Sequence, residues 1–354
     1  MIDYNRRIIE LIGNGRTLNE ICKQLNLTRK QLYYRLKTLQ MHGFEFDRVY
    51  YYDGNIKYVN ENQVIDTNRD GIDLITKTCD QQINIMLISD IHFGSKYDDY
   101  KLLDKIYNYC VLNNIQIIIN AGDLIDGINL GKEKRIKSFE RQIDFLIKNY
   151  PYDKNIINFI CLGNHDIDSF MTNNQDIETA LYNLRHDLVS LGYGVGNINI
   201  KNESIYVKHN ISGYNCPHIP SESIIILGHS HKASIYPNDN LYIHVPPLSN
   251  ISNDINGFPG AMVMKITFKN GYFKFGLFEQ LIISDKIYKI NEFRQELFPN
   301  RNSKKKSITI LEENENGNYF KDFEDNQNIQ KNNIKKLSRK QKKLQNKNTN
   351  SKNL

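Results

Sequence analysis

Hydrophobic residues follow two different patterns along the chain, and the change comes near residue 83. In the first sixty residues apolar side chains fall mainly at helical spacing, as in the segment 8–12, and short alternating segments follow. From residue 83 short apolar runs alternate with amphipathic stretches, which is typical of buried strands in a largely parallel sheet. Beyond about residue 191 strand patterns dominate. The chain therefore predicts a small N-terminal module followed by a larger mixed α/β domain.

The N-terminal module, residues 1–60, predicts three short helices and a hairpin. Thr17 with Glu20, and Thr28 with Gln31, have the spacing of capping boxes that open the second and third helices. Asp53-Gly54 separates two alternating segments and is a strong hairpin signal. This order of helix, tight turn, longer helix and hairpin resembles a winged helix-turn-helix domain of bacterial DNA-binding proteins.

Polar, metal-binding side chains occur where the apolar strands of the larger domain end. They are Asp90 and His92, Asp123, Asn164 to Asp166, His209, and His229 with His231. Because the carboxyl ends of neighbouring strands in α/β proteins open into one crevice, we expect these five strand ends to form one site.

The order DxH, GD, GNHD, H and GHxH resembles the pattern of the calcineurin-like metallophosphoesterase family over about residues 84–250. The resemblance implies an α/β (α+β) fold, a two-sheet sandwich flanked by helices, over residues 83–290. It also implies hydrolysis of phosphate esters by a hydroxide held between two metal ions.

Individual roles follow from the same resemblance. Asp90, His92 and His231 would hold one metal; Asn164, His209 and His229 would hold the other; Asp123 would bridge the two. His165 would donate a proton to the leaving group, and Asp166 would keep its imidazole oriented. Mixed carboxylate, imidazole and amide ligands favour two Mn²⁺ ions, with Fe or Zn²⁺ as alternatives, over Mg²⁺ or Ca²⁺.

Several residues near or outside these motifs receive a structural interpretation. Asp126 and Asp168 follow motif carboxylates and are interpreted as solvated loop residues, with support of the ligands as the alternative. The histidines outside the motifs are expected to pack or to face solvent; they are His42, His186, His218 and His244. A place in the substrate groove is the alternative for His218.

The net charge of +6 is unevenly distributed along the chain. Residues 1–60 carry +4, residues 61–326 carry −7 and residues 327–354 carry +9. Two basic ends predict a polyanionic partner, whereas the acidic middle suits bound cations. The segment 61–82 is interpreted as a linker, and the Asn/Lys-rich tail, 300–354, is expected to be disordered.

Nucleic acid is the polyanion that the N-terminal module favours. Arg29, Lys30, Gln31, Tyr34 and Arg35 are expected to lie exposed on its third helix, where they would contact phosphates and base edges of DNA. The alternative is a helical module used for dimerisation or for docking another protein.

Other features of the sequence narrow the class of protein. The five cysteines are scattered without CxxC spacing, which argues against a disulfide framework or a zinc ribbon. Without a run of 18 apolar residues or a signal-peptide pattern, we expect no membrane partner and a cytoplasmic location.

The sequence thus predicts a metal-dependent phosphoesterase, a phosphodiesterase or nuclease that acts on nucleic acid or nucleotides. The alternative is a DNA-binding regulator whose phosphoesterase domain is inactive or senses metal or nucleotide. Substrate and oligomeric state stay open, because specificity lies in loops that the fold does not fix.

Overall fold

The computed structural model describes residues 4–42, 44, 46–59, 71–76, 81–131, 133–173, 175–210, 218–250, 258–299, 312–313 and 319–320. The chain divides into two compact units, residues 1–302 and 303–354. In the second unit Glu312–Glu313 and Tyr319–Phe320 form an antiparallel pair. The rest of the tail, for which disorder is predicted, lies outside the described residues. No helix in the described part of the chain is long and apolar enough to cross a bilayer.

The first unit opens with the three helices that the sequence predicts, α1 (Tyr4–Gly13), α2 (Leu18–Leu25) and α3 (Arg29–Met41). Both predicted capping boxes are present, because each threonine hydroxyl accepts from the N3 amide and each N3 side chain accepts from the threonine amide. The predicted hairpin is also confirmed, with β1 (Asp47–Tyr51) antiparallel to β2 (Ile56–Val59).

Four helices and thirteen strands complete the part of the first unit that the structure describes. The helices are α4 (Lys101–Leu112), α5 (Phe139–Asn149), α6 (Asn164–Asn173) and α7 (Ile177–Leu184). The strands are β3 (Ile72–Ile75), β4 (Gln82–Ile88), β5 (Ile117–Asn120), β6 (Ile157–Leu162), β7 (Leu188–Tyr193), β8 (Val195–Ile200), β9 (Glu203–Lys208), β10 (Ile224–Leu227), β11 (Ser234–Pro237), β12 (Leu241–His244), β13 (Gly260–Lys269), β14 (Tyr272–Ile283) and β15 (Ile287–Glu296).

Two mixed sheets form the sandwich that the family resemblance implies. The seven-stranded sheet has the order β15-β14-β13-β4-β5-β6-β7, and its strands β4 to β7 are parallel. The eight-stranded sheet has the order β11-β12-β10-β9-β8-β3-β1-β2. One apolar cluster fills the space between the sheets, and a second joins the outer face of the seven-stranded sheet to α4, α5 and α7. The parallel strands thus bring the ends of β4, β5 and β6 to one edge.

The N-terminal module is joined to the larger domain through a strand that the sequence pattern misses. Residues 72–75, inside the predicted linker, form β3, which pairs with β1 on one side and β8 on the other. The hairpin therefore extends the eight-stranded sheet, and apolar residues of the three helices belong to the cluster between the sheets. A four-residue strand of mixed polarity gives no local signal, because distant segments specify its pairing.

A buried histidine fixes α3 against the larger domain. The ring of His186, which directly precedes β7, stacks on Tyr33 of α3 with a centroid separation of 3.7 Å. Its Nδ1 lies 2.7 Å from the hydroxyl of Tyr58 on β2. Burial, with the nearby charges of Arg48 and Arg29, lowers the pKa of His186 to about 2. His186 is therefore a neutral packing residue, the role expected from its place outside the motifs.

Candidate metal centre

The polar residues singled out in the sequence meet at one edge of the sandwich, where strands of both sheets end. Asp90 and His92 follow β4, Asp123 follows β5, Asn164 to Asp166 follow β6, His209 follows β9, and His229 and His231 follow β10. The convergence arises because β4, β5 and β6 run parallel in one sheet and β9 and β10 run parallel in the other.

A first group of ligand atoms comes from Asp90, His92 and His231. One atom from each side chain lies within 4.8 Å of the others. Nε2 of His231 is 3.2 Å from Oδ1 of Asp90, and Nε2 of His92 is 3.9 Å from the same oxygen. Oδ2 of Asp123 lies 3.8 Å from Nε2 of His92, so the Asp123 carboxylate borders this group as well.

A second group surrounds the same carboxylate oxygen of Asp123. Nε2 of His209 lies 3.1 Å from that oxygen and 3.1 Å from Oδ1 of Asn164. Nδ1 of His229 is 3.0 Å from Oδ1 of Asn164. The Nδ1–H of His209 donates to the carbonyl oxygen of Ala121 at 2.6 Å, so its Nε2 is left to bind a cation. Asp123 thus lies between two groups of donors.

The donor set fits two divalent cations. Metal–ligand bonds of about 2.0–2.2 Å place neighbouring ligands about 3–3.6 Å apart, close to most of the separations found here. Asp90 Oδ1 and both ring nitrogens of His92 are also buried without a hydrogen-bond partner in the described structure. Such groups are costly to bury unpaired, and a bound cation would satisfy the acceptors among them.

Five of the seven predicted ligand residues have left-handed backbone conformations. They are Asp90 (φ 54°), His92 (φ 52°), Asp123 (φ 54°), His229 (φ 72°) and His231 (φ 53°). This region is disfavoured for residues with a β-carbon and costs of order 1–3 kcal/mol where it is strained. Such conformations persist where the surrounding structure enforces them, and they concentrate at functional sites.

Gly122 lets the second group form. Its φ of 108° suits glycine, and a β-carbon there would lie 2.3 Å from Nδ1 of His209. A side chain at this position would displace the imidazole from the Ala121 carbonyl. The close approach of the backbone to the His209 imidazole therefore requires glycine at position 122.

Burial and paired charges move the pKa values of the site in opposite directions. Burial lowers the pKa of His92 to about 4, so its imidazole is neutral. Burial also opposes the charged form of His209, but the adjacent Asp123 carboxylate outweighs it and raises the pKa of His209 to about 9. The same pairing holds the pKa of Asp123 below its ordinary value despite burial. A cation that binds between them must displace the proton of His209.

The predicted partner of His165 is replaced by a different aspartate. The Asp166 carboxylate accepts from the amides of Gly163 and Ile125, so it joins two loops and does not orient the imidazole. His165 donates from Nδ1 to the carbonyl oxygen of Asp126, 2.8 Å away. One ring nitrogen each of His165 and His92 and a carboxylate oxygen of Asp126 also lie within 4.8 Å of one another.

The sequence pattern predicts a solvated loop position for Asp126, but the structure buries this residue beside His92 and His165. Its place three residues after Asp123 is the one feature of the sequence that indicates a position near the site. Burial, only partly offset by Lys134, raises the pKa of Asp126 to about 6. Burial and the charge of Asp123 raise the pKa of Asp166 to about 7. The described loop after Asp126 is held by Asp168, whose carboxylate accepts from the amides of residues 128, 129 and 130.

The residues predicted to contact DNA do not share one exposed face. Arg29 donates to the carbonyl oxygen of Lys154 at 2.8 Å and lies over the ring of Tyr152, so it faces the larger domain. Gln31 is exposed, with its side-chain oxygen accepting from Thr28. Arg35 lies over the ring of Tyr4. Lys30 and Tyr34 are exposed, and Tyr34 has 74% of its surface accessible.

The remaining histidines take three different positions. His42 and His218 are exposed, and His244 lies half-buried beside Ser230, with its Nδ1 3.0 Å from the serine Oγ. Ser230 separates two predicted metal ligands, His229 and His231, so His244 lies closer to the site than its sequence context indicates.

A sequence model of calcineurin-like phosphoesterases matches residues 83–336. The chain belongs to this family. Membership in the calcineurin-like phosphoesterases implies that the protein is a phosphoester hydrolase and confirms the resemblance read from the motifs. The search among curated proteins found no match.

Comparison of this calcineurin-like phosphoesterase with solved structures gives matches of low identity. The phosphoesterase YfcE from E. coli is 14% identical, over 60% of this chain and 98% of its own, with a TM-score of 0.38. Nuclease MPE from Pseudomonas putida is 14% identical, over 53% and 86%, with a TM-score of 0.30. A phosphatase from Mycoplasma pneumoniae is 13% identical, over 61% and 94%, also at 0.30. Nothing about substrate passes from these proteins to this chain.

Proposed function

We propose that this protein is a phosphodiesterase that uses two divalent cations and acts on nucleic acid. The position of one Asp123 oxygen between two groups of donors carries the proposal. That oxygen lies 3.8 Å from Nε2 of His92 in the first group and 3.1 Å from Nε2 of His209 in the second. A shared carboxylate with imidazoles on both sides is suited to a pair of cations.

Mn²⁺ is the cation that we propose for the site. Carboxylate, amide and imidazole donors together match Mn²⁺, Fe or Zn²⁺, whereas Mg²⁺ and Ca²⁺ prefer shells of oxygen. When bound, such ions supply Lewis acidity and lower the pKa of coordinated water.

The protein's own residues contribute orientation and a proton. The Nδ1–H bond to the Asp126 carbonyl fixes the ring of His165, so Nε2 is the atom that transfers a proton to the leaving oxygen. A carboxylate oxygen of Asp126 lies within 4.8 Å of a ring nitrogen of His165. Asp166 holds the turn at Gly163 against the loop after β5, and this contact keeps Asn164 beside Asp123.

Removal and return of metal tests this function on the full-length chain. Chelator-treated protein should be inactive, and Mn²⁺ should restore hydrolysis of bis-p-nitrophenyl phosphate more strongly than hydrolysis of p-nitrophenyl phosphate. The same assay with single- and double-stranded DNA tests nucleic acid as substrate. Absence of turnover on all four substrates with Mn²⁺ present would leave the DNA-binding regulator as the better function.

A winged-helix role for the N-terminal module is part of the same proposal. Lys30, Tyr34 and Lys37 are exposed and lie three to four residues apart, so they share one face of α3. Lysines beside an exposed tyrosine suit contacts to phosphates and bases. Arg29 is bonded to the larger domain, the Gln31 side chain caps α3 and Arg35 lies over the ring of Tyr4, so this three-residue face takes the place of the wider set named from the sequence. The basic tail is a second proposed contact.

Salt dependence of DNA binding tests the α3 face. The double substitution K30A/K37A should weaken binding to duplex DNA and reduce the slope of log K against log salt by about 1.8, because each lost phosphate contact removes about 0.9. Fluorescence anisotropy across about 50–200 mM salt in the presence of chelator measures both quantities. The control K101A/K286A removes two exposed lysines from the larger domain and should change neither. An unchanged slope in K30A/K37A would favour protein docking or dimerisation.

A further inference from the structure

The outer face of the eight-stranded sheet carries three stacked rings beside the metal centre. Tyr236 on β11 lies opposite Tyr242 on β12, with ring centroids 5.0 Å apart and ring planes 13° from parallel. The ring of His244 lies 5.8 Å from that of Tyr236, at 26°. Tyr236, Tyr242 and His244 are called the ring platform below. Leu241 and Ile243, which alternate with the last two, point into the core and are buried.

The ring platform is accessible, although aromatic side chains usually gain stability from burial. Tyr236 exposes 43% of its surface, and Tyr242 and His244 are half-buried. Exposed planar rings at a sheet edge present flat apolar faces to solvent. Such faces are suited to stacking against other planar groups, nucleobases among them.

The ring platform is continuous with the metal centre. The Nδ1 of His244 lies 3.0 Å from the hydroxyl of Ser230, which stands between the ligand residues His229 and His231. Tyr236 is five residues from His231, a span of at most about 18 Å in an extended chain. A polymer whose phosphate occupied the metal centre would therefore reach the rings within a few residues of its own length.

Charged residues make the two ends of the ring platform electrostatically different. Lys232 is exposed and directly follows His231, and Lys208 is the last residue of β9, immediately before His209. Both lysines thus lie at the metal-centre end, where they would attract phosphates. Glu222 and Asp239 lie at the opposite end, where the amide of Glu222 donates to the carbonyl of Asp239. A polyanion is favoured near the metal centre and disfavoured beyond the rings.

We propose that the ring platform binds single-stranded nucleic acid by base stacking and holds the strand that leads into the metal centre. The inference rests on the proposed function and deepens it, because it assigns the substrate an unpaired strand. Stacking needs separated bases whose faces are open, and a duplex hides those faces. The platform therefore selects single strands over duplexes, and it discriminates little among bases since every base has an aromatic face.

Substitution of both tyrosines tests the ring platform. In full-length protein with chelator present, Y236A/Y242A should raise the Kd for fluorescein-labelled (dT)20 and (rU)20 about tenfold or more, since each lost stack weakens binding severalfold. The Kd for a duplex of the same length should change by less than about twofold. Comparison of the Kd values for (dT)20 and (rU)20 shows whether the sugar contributes to binding. The control Y288A removes a tyrosine of similar exposure, 47%, from the seven-stranded sheet and should leave all three values unchanged.

A tryptophan reporter keeps the inference testable even if the double variant folds poorly. Because the chain has no tryptophan, Y236W creates a single fluorophore within the platform. Its emission should be quenched when (dT)20 is added, whereas the emission of Y288W should not. Equal responses of the two reporters, or unchanged single-strand Kd values in Y236A/Y242A, would overturn the inference.

Turnover of bis-p-nitrophenyl phosphate separates this inference from the proposed function. This small diester requires the metal centre alone, so Y236A/Y242A should hydrolyse it as the parent protein does. If the parent shows no Mn²⁺-dependent turnover, the proposed function fails. If turnover is normal and single-strand binding is insensitive to the rings, the platform alone is wrong.

Discussion

Asp123→Asn is expected to abolish most of the phosphodiesterase activity. The substitution keeps the shape of the side chain but removes the charge from the one oxygen that borders both donor groups. Lewis-acid stabilisation of the transition state by several kcal/mol depends on both cations, so the loss of turnover should be about 10³-fold. Steady-state hydrolysis of bis-p-nitrophenyl phosphate with Mn²⁺ measures it, and elemental analysis should show reduced metal content.

A matched substitution tests whether the loss of activity is specific to Asp123 or follows the loss of any negative charge. Asp144 is an exposed aspartate of α5, and Asp144→Asn should retain both turnover and metal content. If Asp123→Asn retained full activity, or if the parent protein turned over after complete removal of metal, the shared role of Asp123 would be refuted.

His165→Ala is expected to lower turnover while metal stays bound. General acid catalysis contributes about 10² to 10⁴ in rate, and the loss should approach this range for a dinucleotide with an alkoxide leaving group. A p-nitrophenolate leaving group needs little protonation, so the loss with bis-p-nitrophenyl phosphate should be far smaller. Rates for both substrates, each measured with metal content, test the role of the imidazole.

One outcome and one control bear on the assignment of His165 as the proton donor. Equal losses on the two substrates would show that His165 positions substrate or ligands and does not protonate the leaving oxygen. His42→Ala, which removes an exposed histidine at the end of α3, should leave both rates unchanged and serves as the control.

The convergence of the candidate metal ligands could be predicted from the sequence because their arrangement follows from local pattern. Apolar runs identify buried strands, and the carboxyl ends of parallel strands meet at one edge, so the polar residues after each run must converge. His209 follows its strand in the same way, and the structure places its Nε2 3.1 Å from Asp123. Capping boxes and the hairpin turn are local signals of the same kind.

Features that depend on distant pairing could not be predicted. The strand at 72–75 is specified by β1 and β8, which lie far from it in sequence. Arginine is a residue type that often contacts DNA, but the guanidinium of Arg29 donates to the carbonyl oxygen of Lys154, which lies 125 residues away in sequence. The contacts of His165 depend on loop geometry: adjacency in the sequence favoured Asp166, whereas the structure places Nδ1 of His165 on the carbonyl oxygen of Asp126 and the Asp166 carboxylate on the amide of Gly163.

Because the hairpin extends the eight-stranded sheet, the N-terminal module cannot be removed without exposing the edge of a strand. Removal of residues 1–60 would strip β1 from β3 and leave the backbone amides and carbonyls of an edge strand open to solvent. Such edges recruit strands of other molecules, and the apolar residues that the helices now cover would be exposed beside it. A truncated fragment would thus be prone to aggregation, whereas substitutions on the α3 surface leave the sheet intact and test the proposed DNA binding without a change in solubility.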